Sequence, residues 1–144
     1  MTIGIVGLGL IGGSFAKAYS DNDEHKVLAY NRSKEVIQAA YNDKAIDGEL
    51  NEGNIKDCDL ILLCLYPQLC IDYLTKMAPY ICKDAMVIDC CGTKELICQS
   101  CYPIANMALL LSADTQWLAV ISPATHTAQR QCTTELLWYL CQKI

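Results

Sequence analysis

Gly7-Leu8-Gly9-Leu10-Ile11-Gly12 spaces three glycines as G-x-G-x-x-G. That spacing serves one kind of chemistry, the holding of a dinucleotide pyrophosphate by bare backbone. Gly7 permits a tight turn, Gly9 lets the main chain approach the phosphates, and Gly12 lets the following helix pack closely on its strand. The first turn of that helix, Leu10 and Ile11, then offers unpaired N–H groups and the positive end of the helix dipole to the anion. The competing reading is a glycine turn kept only for packing. It is weakened because an apolar strand pattern runs into the motif and a helical pattern runs out of it.

The end of the second strand sets the choice of cofactor. A carboxylate there would accept the ribose hydroxyls of NAD and repel the 2′-phosphate of NADP. The chain instead has "AYNRS", with Asn31 in the acid's place, then Arg32 and Ser33. Arg32 can make charge-assisted hydrogen bonds to a phosphate, and Ser33 can add another. NADP is therefore expected over NAD, against the alternative that Arg32 is a solvated surface residue and Ser33 only a helix cap. Two more loops fall at the carboxyl ends of strands, where open α/β sheets bind ligands. They are Tyr66-Pro67-Gln68 and "DCCGTKE", Asp89 to Glu95. Tyr66, Pro67 and Asp89 are candidates for the nicotinamide side, with a helix-capping role for Asp89 equally open.

The chain has ten cysteines, among them the adjacent pair Cys90-Cys91 and the C-x-x-C pair Cys98/Cys101. The N-terminus shows no basic region or cleavage site, so these are expected to be reduced thiols packed as small apolar residues. The alternative is a zinc site or redox pair, but the helical pattern around Cys98 explains its spacing without metal. His25 and His126 share no ligand-like spacing with them, and no metal is expected.

Four strands are needed to position these residues. Apolar runs predict them at Ile3–Val6, Lys26–Tyr30, "DLILLCLY" up to Pro67, and "AMVIDCCG". Helical patterns between them cover Ile11 to Tyr19, "SKEVIQAAYN" after an N-cap at Ser33, Leu69 to Tyr80, and Lys94 to Tyr102. In the second of these, Val36, Ile37, Ala40 and Tyr41 form the expected apolar face. Such alternation implies βαβ units and an α/β fold, a doubly wound parallel sheet of the Rossmann type. A hydrophobic fraction of 53% suits strands buried on both faces. The net charge is −5 with no basic cluster, which argues against nucleic acid and anionic membrane surfaces as partners. The longest apolar run, Leu60 to Tyr66, is too short to span a bilayer, and a cytoplasmic protein is expected.

"IGIVGLGLIGGSFAKAY", "AYNRS", "LCLYP" and "VIDCCGTK", in that order and spacing, together resemble the N-terminal cofactor domain of the prephenate dehydrogenase family. The resemblance runs from Met1 to about Ala105. The D-x-x-G-x-K after the fourth strand separates this family from hydroxyacid dehydrogenases and imine reductases. It implies oxidative decarboxylation of prephenate or arogenate in tyrosine biosynthesis, with hydride passing to NAD(P). It carries Gly7, Gly9, Gly12, Asn31, Arg32 and Ser33 over as cofactor contacts, and places Asp89 to Lys94 near nicotinamide and substrate. The family often has serine where this chain has Gly92. It also has a "GGHPMAG" block with a catalytic histidine, and a helical domain that forms the dimer. The chain is expected to lack both, and His126 in "SPATHTAQ" does not match the block. The competing functions are a stand-alone NADP(H)-binding or sensory module and a small oxidoreductase of another Rossmann family.

The expected division is therefore a dinucleotide-binding domain over residues 1–105 and a tail over residues 106–144. "ALLLSADTQWLAV" opens a tail with no family pattern. Regrouping the codons that can encode it, from Met107 on, permits "GFTFVGGHPMAGRHFTGYAH". The tail is thus expected to be the family's own gene read in a shifted frame. The sheet would then lack its last native strand, with "MALLLSA" (Met107 to Ala113) apolar enough to lie on the bare edge.

Overall fold

The apolar run at the N-terminus forms β1 (Thr2–Val6), and the glycine loop turns it into α1 (Leu10–Ser20). The chain continues through β2 (Lys26–Tyr30), α2 (Lys34–Asn42), β3 (Gly48–Glu49), β4 (Leu60–Leu63), α3 (Pro67–Met77) and β5 (Met86–Asp89). A last strand, β6, is formed by Ala119–Ile121. The computed structural model describes residues 1–91 and the backbone of 119–121. The expected helix at Lys94 to Tyr102, the stretch Met107 to Ala113, Cys98, Cys101, His126 and the loop residues after Cys91 all lie outside the described residues.

The sheet order is β3-β2-β1-β4-β5-β6. Pairings from β3 to β5 are parallel, with Val6 beside Tyr30 on one flank and Leu63 on the other. The strand order reverses between β1 and β4, so the fold has the switch point at which doubly wound sheets hold ligands. β5 is not left bare: Ala119–Ile121 pairs with it antiparallel, so the edge is covered by a later segment than Met107 to Ala113.

Period-two alternation explains why the central strands are apolar throughout. Ile3, Ile5, Leu60, Leu62 and Ile88 pack with Phe15 and Tyr19 of α1 and Ile37 of α2. Val6, Ile61, Leu63 and Val87 face the opposite way, onto Cys70, Ile71, Leu74 and Met77 of α3. Helices on both faces thus give the doubly wound layers.

Several local expectations need correction. The third apolar run ends as a strand at Leu63, and Pro67 does not stop it but opens α3 at the first helical position. A fixed φ and a missing N–H are no penalty there, because that N–H has no partner in any helix. On α2 Ile37 is buried, whereas Val36 and Tyr41 are exposed; nine residues cover too little sheet to bury a wider face. β3 was not foreseen. It spans two residues, Gly48–Glu49, and is held beside β2 by main-chain bonds from Asp47 N to Val27 O and from Leu50 N to Ala29 O.

Candidate dinucleotide site

The crevice outside the carboxyl ends of β1 and β4 is built from three glycines with different tasks. Gly7 has φ +97°, a conformation that L side chains rarely adopt. A Cβ on it would also lie 2.7 Å from Cys64 O and 2.6 Å from Leu65 Cδ2. Its N–H donates to Tyr30 O at 2.7 Å, so the turn is bonded to the end of β2. Gly12 sits over this turn, and a Cβ there would be 1.9 Å from Gly7 O. Gly9 differs from both. As the N-cap of α1 it has φ −79° and ψ −158°, and a Cβ on it meets nothing within 4 Å. Among the described residues its lack of a side chain relieves no contact, so the space beside it is open.

Among the described residues no side chain caps α1. The N–H groups of its first turn are left to solvent or to an anion, and the dipole favours the anion. Leu10 and Ile11 stand on that turn with their side chains out, Leu10 at 93% exposure. The glycine cradle, the uncapped turn and the open side of Gly9 all fit a dinucleotide pyrophosphate.

The β2 end is tied to the same loop. Asn31 Oδ1 accepts from Leu8 N at 3.2 Å, so Asn31 orients the glycine loop from the position where an acid was considered. Arg32 is exposed and has no hydrogen bond or ion pair among the described residues. Lys34, two residues on, is engaged by Glu49. Ser33 is the N-cap of α2, accepting from Val36 N, while its hydroxyl donates to Glu35 Oε2 at 2.5 Å. That bond holds the Glu35 carboxyl below its usual range, with the residue's own backbone N–H adding to the effect. Sequence reasoning missed Glu35, whose charge is invisible as a site feature until Ser33 is seen to point at it.

On the β4–β5 side, Tyr66 is the N-cap of α3 and is 82% exposed, with Leu69 also exposed one turn on. Pro67 and Gln68 belong to the first turn of α3, not to a free loop. Asp89 is fully buried beside Leu63, and its Oδ1 accepts from Cys91 N at 2.8 Å. This bond closes an Asx-type turn over Asp89–Cys91; the helix that Asp89 was considered to cap lies outside the described residues. Cys91 Sγ donates to Leu65 O at 2.8 Å and lies 3.7 Å from Cys70 Sγ. The neighbouring Cys70 sulfur, burial and the Asp89 carboxylate together push the Cys91 thiol well above its ordinary range. The glycine loop, Asn31, Tyr66 and Pro67 thus share one end of the sheet, while Asp89 turns inward to a set of cysteines.

The profile described as prephenate dehydrogenase, nucleotide-binding domain, matches residues 15–113. It begins inside α1, after the glycine loop, and runs past Ala105, where the likeness by motif was expected to stop. No curated protein sequence matches the chain. Among solved structures, the arogenate dehydrogenase of Synechocystis superposes with TM-score 0.75 at 21% identity, covering 97% of this chain and 57% of its own. The A. aeolicus prephenate dehydrogenase bound to hydroxyphenyl propionate and NAD+ gives TM-score 0.70 at 21% identity, covering 96% and 56%. A second structure of the Aquifex aeolicus prephenate dehydrogenase gives 0.59 at 28% identity, over 66% of this chain and 36% of that one. The chain therefore spans a little over half the length of the first two of these enzymes. Among the described residues no helix is long and apolar enough to cross a membrane. With the profile covering more than half of the sequence, the chain belongs to the prephenate dehydrogenase family, whose nucleotide-binding domain it carries.

Proposed function

We propose that this domain holds NADP(H), in preference to NAD(H), for the oxidative decarboxylation of prephenate or arogenate. One observation carries the reading: among the described residues nothing lies within 4 Å of a Cβ added to Gly9, at the uncapped start of α1, which leaves room there for a pyrophosphate. Gly7 and Gly12 shape the cradle, Leu10 and Ile11 supply N–H groups to the pyrophosphate, and Asn31 keeps the loop in register. Arg32 is the cation for the 2′-phosphate, with Ser33 beside it. Tyr66 and Pro67 flank the nicotinamide side, and Asp89 stiffens the strand end behind it. The bound cofactor supplies the hydride acceptor; the protein binds it, orients it and shields one side of it.

The same reading takes residues 106–144 as family sequence displaced by one base near Asn106, and assigns the substrate-side histidine to the block recovered in the other frame. The gene's nucleotide sequence tests this. The alternate frame should encode the "GGHPMAG" block, and restoring one base should extend the product into the helical domain and give dehydrogenase activity. Early stop codons without the block would refute it. For the chain as it stands, a titration with NADPH and NADH beside a turnover assay with prephenate and arogenate separates the readings. Binding without turnover is the expected result. Turnover would make it a working oxidoreductase, and tighter NADH binding would overturn the cofactor preference.

A further inference from the structure

One buried cluster on the β4–β5 side holds two cysteines that the cofactor reading does not use. Cys70 comes from the first turns of α3, Asp89 ends β5, and Cys91 follows two residues later. All three are buried, and one ligand atom from each lies within 4.8 Å of the others. We propose that Cys70, Asp89 and Cys91 bind a single borderline-soft divalent cation of the Zn²⁺ class. The two sulfurs are 3.7 Å apart. Zinc–sulfur bonds of about 2.3 Å at a tetrahedral angle place two thiolates about 3.7–3.8 Å apart, so the sulfurs already stand at the required spacing. A disulfide needs about 2.05 Å, and the pair would have to close by about 1.7 Å against packed neighbours to reach it.

The surroundings agree with a metal site. The Leu65 carbonyl is 3.5 Å from Cys70 Sγ, about the sulfur–oxygen spacing of two ligands on one tetrahedral cation. Cys91 Sγ, which donates to that carbonyl at 2.8 Å, must give up the hydrogen bond and draw back when the cation binds. The Cys91 N–H fixes the Asp89 carboxylate, the kind of outer bond that orients a ligand. Leu63, Ile71, Leu74 and Val87 of the same core cluster exclude water, which strengthens each metal bond. The cation would tie the start of α3 to the end of β5, joining positions 21 residues apart. The inference shares only Asp89 with the cofactor reading and uses no residue of the glycine loop or of the proposed 2′-phosphate contacts.

Titration of the purified, reduced chain with Co²⁺ tests it. A thiolate-to-cobalt charge-transfer band and strong tetrahedral d–d bands should saturate near one equivalent. Cys70→Ser and Cys91→Ser should each weaken binding by about 100-fold or more, beyond the 10–100-fold typical of an outer-shell change. Cys82→Ser, at an exposed cysteine outside the cluster, should leave it unchanged. A second readout needs no variant: under mild urea that lets the buried thiols open to reagent, Zn²⁺ should slow alkylation of Cys70 and Cys91 relative to the metal-free chain and leave the rate at exposed Cys82 unchanged. No bands from the folded wild type, bands that survive both serine variants, unprotected thiols, or a Cys70–Cys91 disulfide 2 Da lighter would each overturn the proposal.

Discussion

The two sides of the crevice are built from different materials. On the β1–α1 side the site is backbone: a positive-φ glycine, an uncapped helix start and an open Gly9 leave N–H groups where an anion can reach them. On the β4–β5 side it is side chains, with Tyr66 outside and Asp89, Cys70 and Cys91 within. A backbone site depends on what is missing and so tolerates almost no added atoms. A side-chain site depends on partners meeting through space, and conservative changes there alter chemistry before they alter the fold.

The sharpest way to break this comparison is within the glycines themselves. Gly12→Ala puts a carbon 1.9 Å from Gly7 O, which only a backbone shift can relieve. It should cost at least about 3 kcal/mol, at or beyond the usual upper range for overpacking, as read by urea unfolding. Gly9→Ala should stay within about 0.5 kcal/mol of wild type, since its Cβ meets nothing. Equal losses at the two positions would show that the loop is a packing device throughout. Next in size is Arg32→Ala. It should weaken NADPH by about 1.5–3 kcal/mol and leave NADH nearly unchanged, the range for a hydrogen bond to a charged group. Parallel losses for both cofactors would remove Arg32 from the 2′-phosphate.

Ser33→Ala should cost about 1 kcal/mol of stability through the lost N-cap, measurable as a lower unfolding midpoint. The smallest effect is expected at Glu35. Its carboxylate, held below its usual range by the Ser33 hydroxyl, stands next to the proposed phosphate contacts. Glu35→Gln should tighten NADPH without changing NADH, and a loss of NADPH affinity would contradict that. The sign with pH is the same. Glu35 has a lowered folded-state pKa, so its Ser33 bond contributes fully above the ordinary carboxylate value and is lost as pH falls from there through the lowered folded-state value.

What could be read from the sequence follows the same division. The glycine loop was legible because its three positions lie within six residues and their spacing is itself the mechanism. The central strands were legible because burial on both faces leaves an unbroken apolar run. β3 was not, since two residues, Gly48–Glu49, carry no periodicity and are placed by pairing with β2. Pro67 was read as a stop because proline ends both strands and helices, and only the observed start of α3 gives it the opposite role. The cysteines are the clearest case. Attention to local spacing picked out Cys90-Cys91 and Cys98/Cys101, whereas Cys70 meets Cys91 only once α3 folds back over β5. Likewise the bond from Asn31 to Leu8 joins residues that lie far apart in the chain.

The central claim is that the glycine loop at the switch point is a cofactor cradle and not only a tight turn. It is tested most directly by titrating NADPH into wild type and Gly9→Val while following the unfolding midpoint of each. The account predicts saturable NADPH binding by wild type and none by Gly9→Val, with the two proteins unfolding at nearly the same denaturant concentration. A folded wild type that does not bind NADPH, or a Gly9→Val protein that binds it as tightly as wild type, would contradict it.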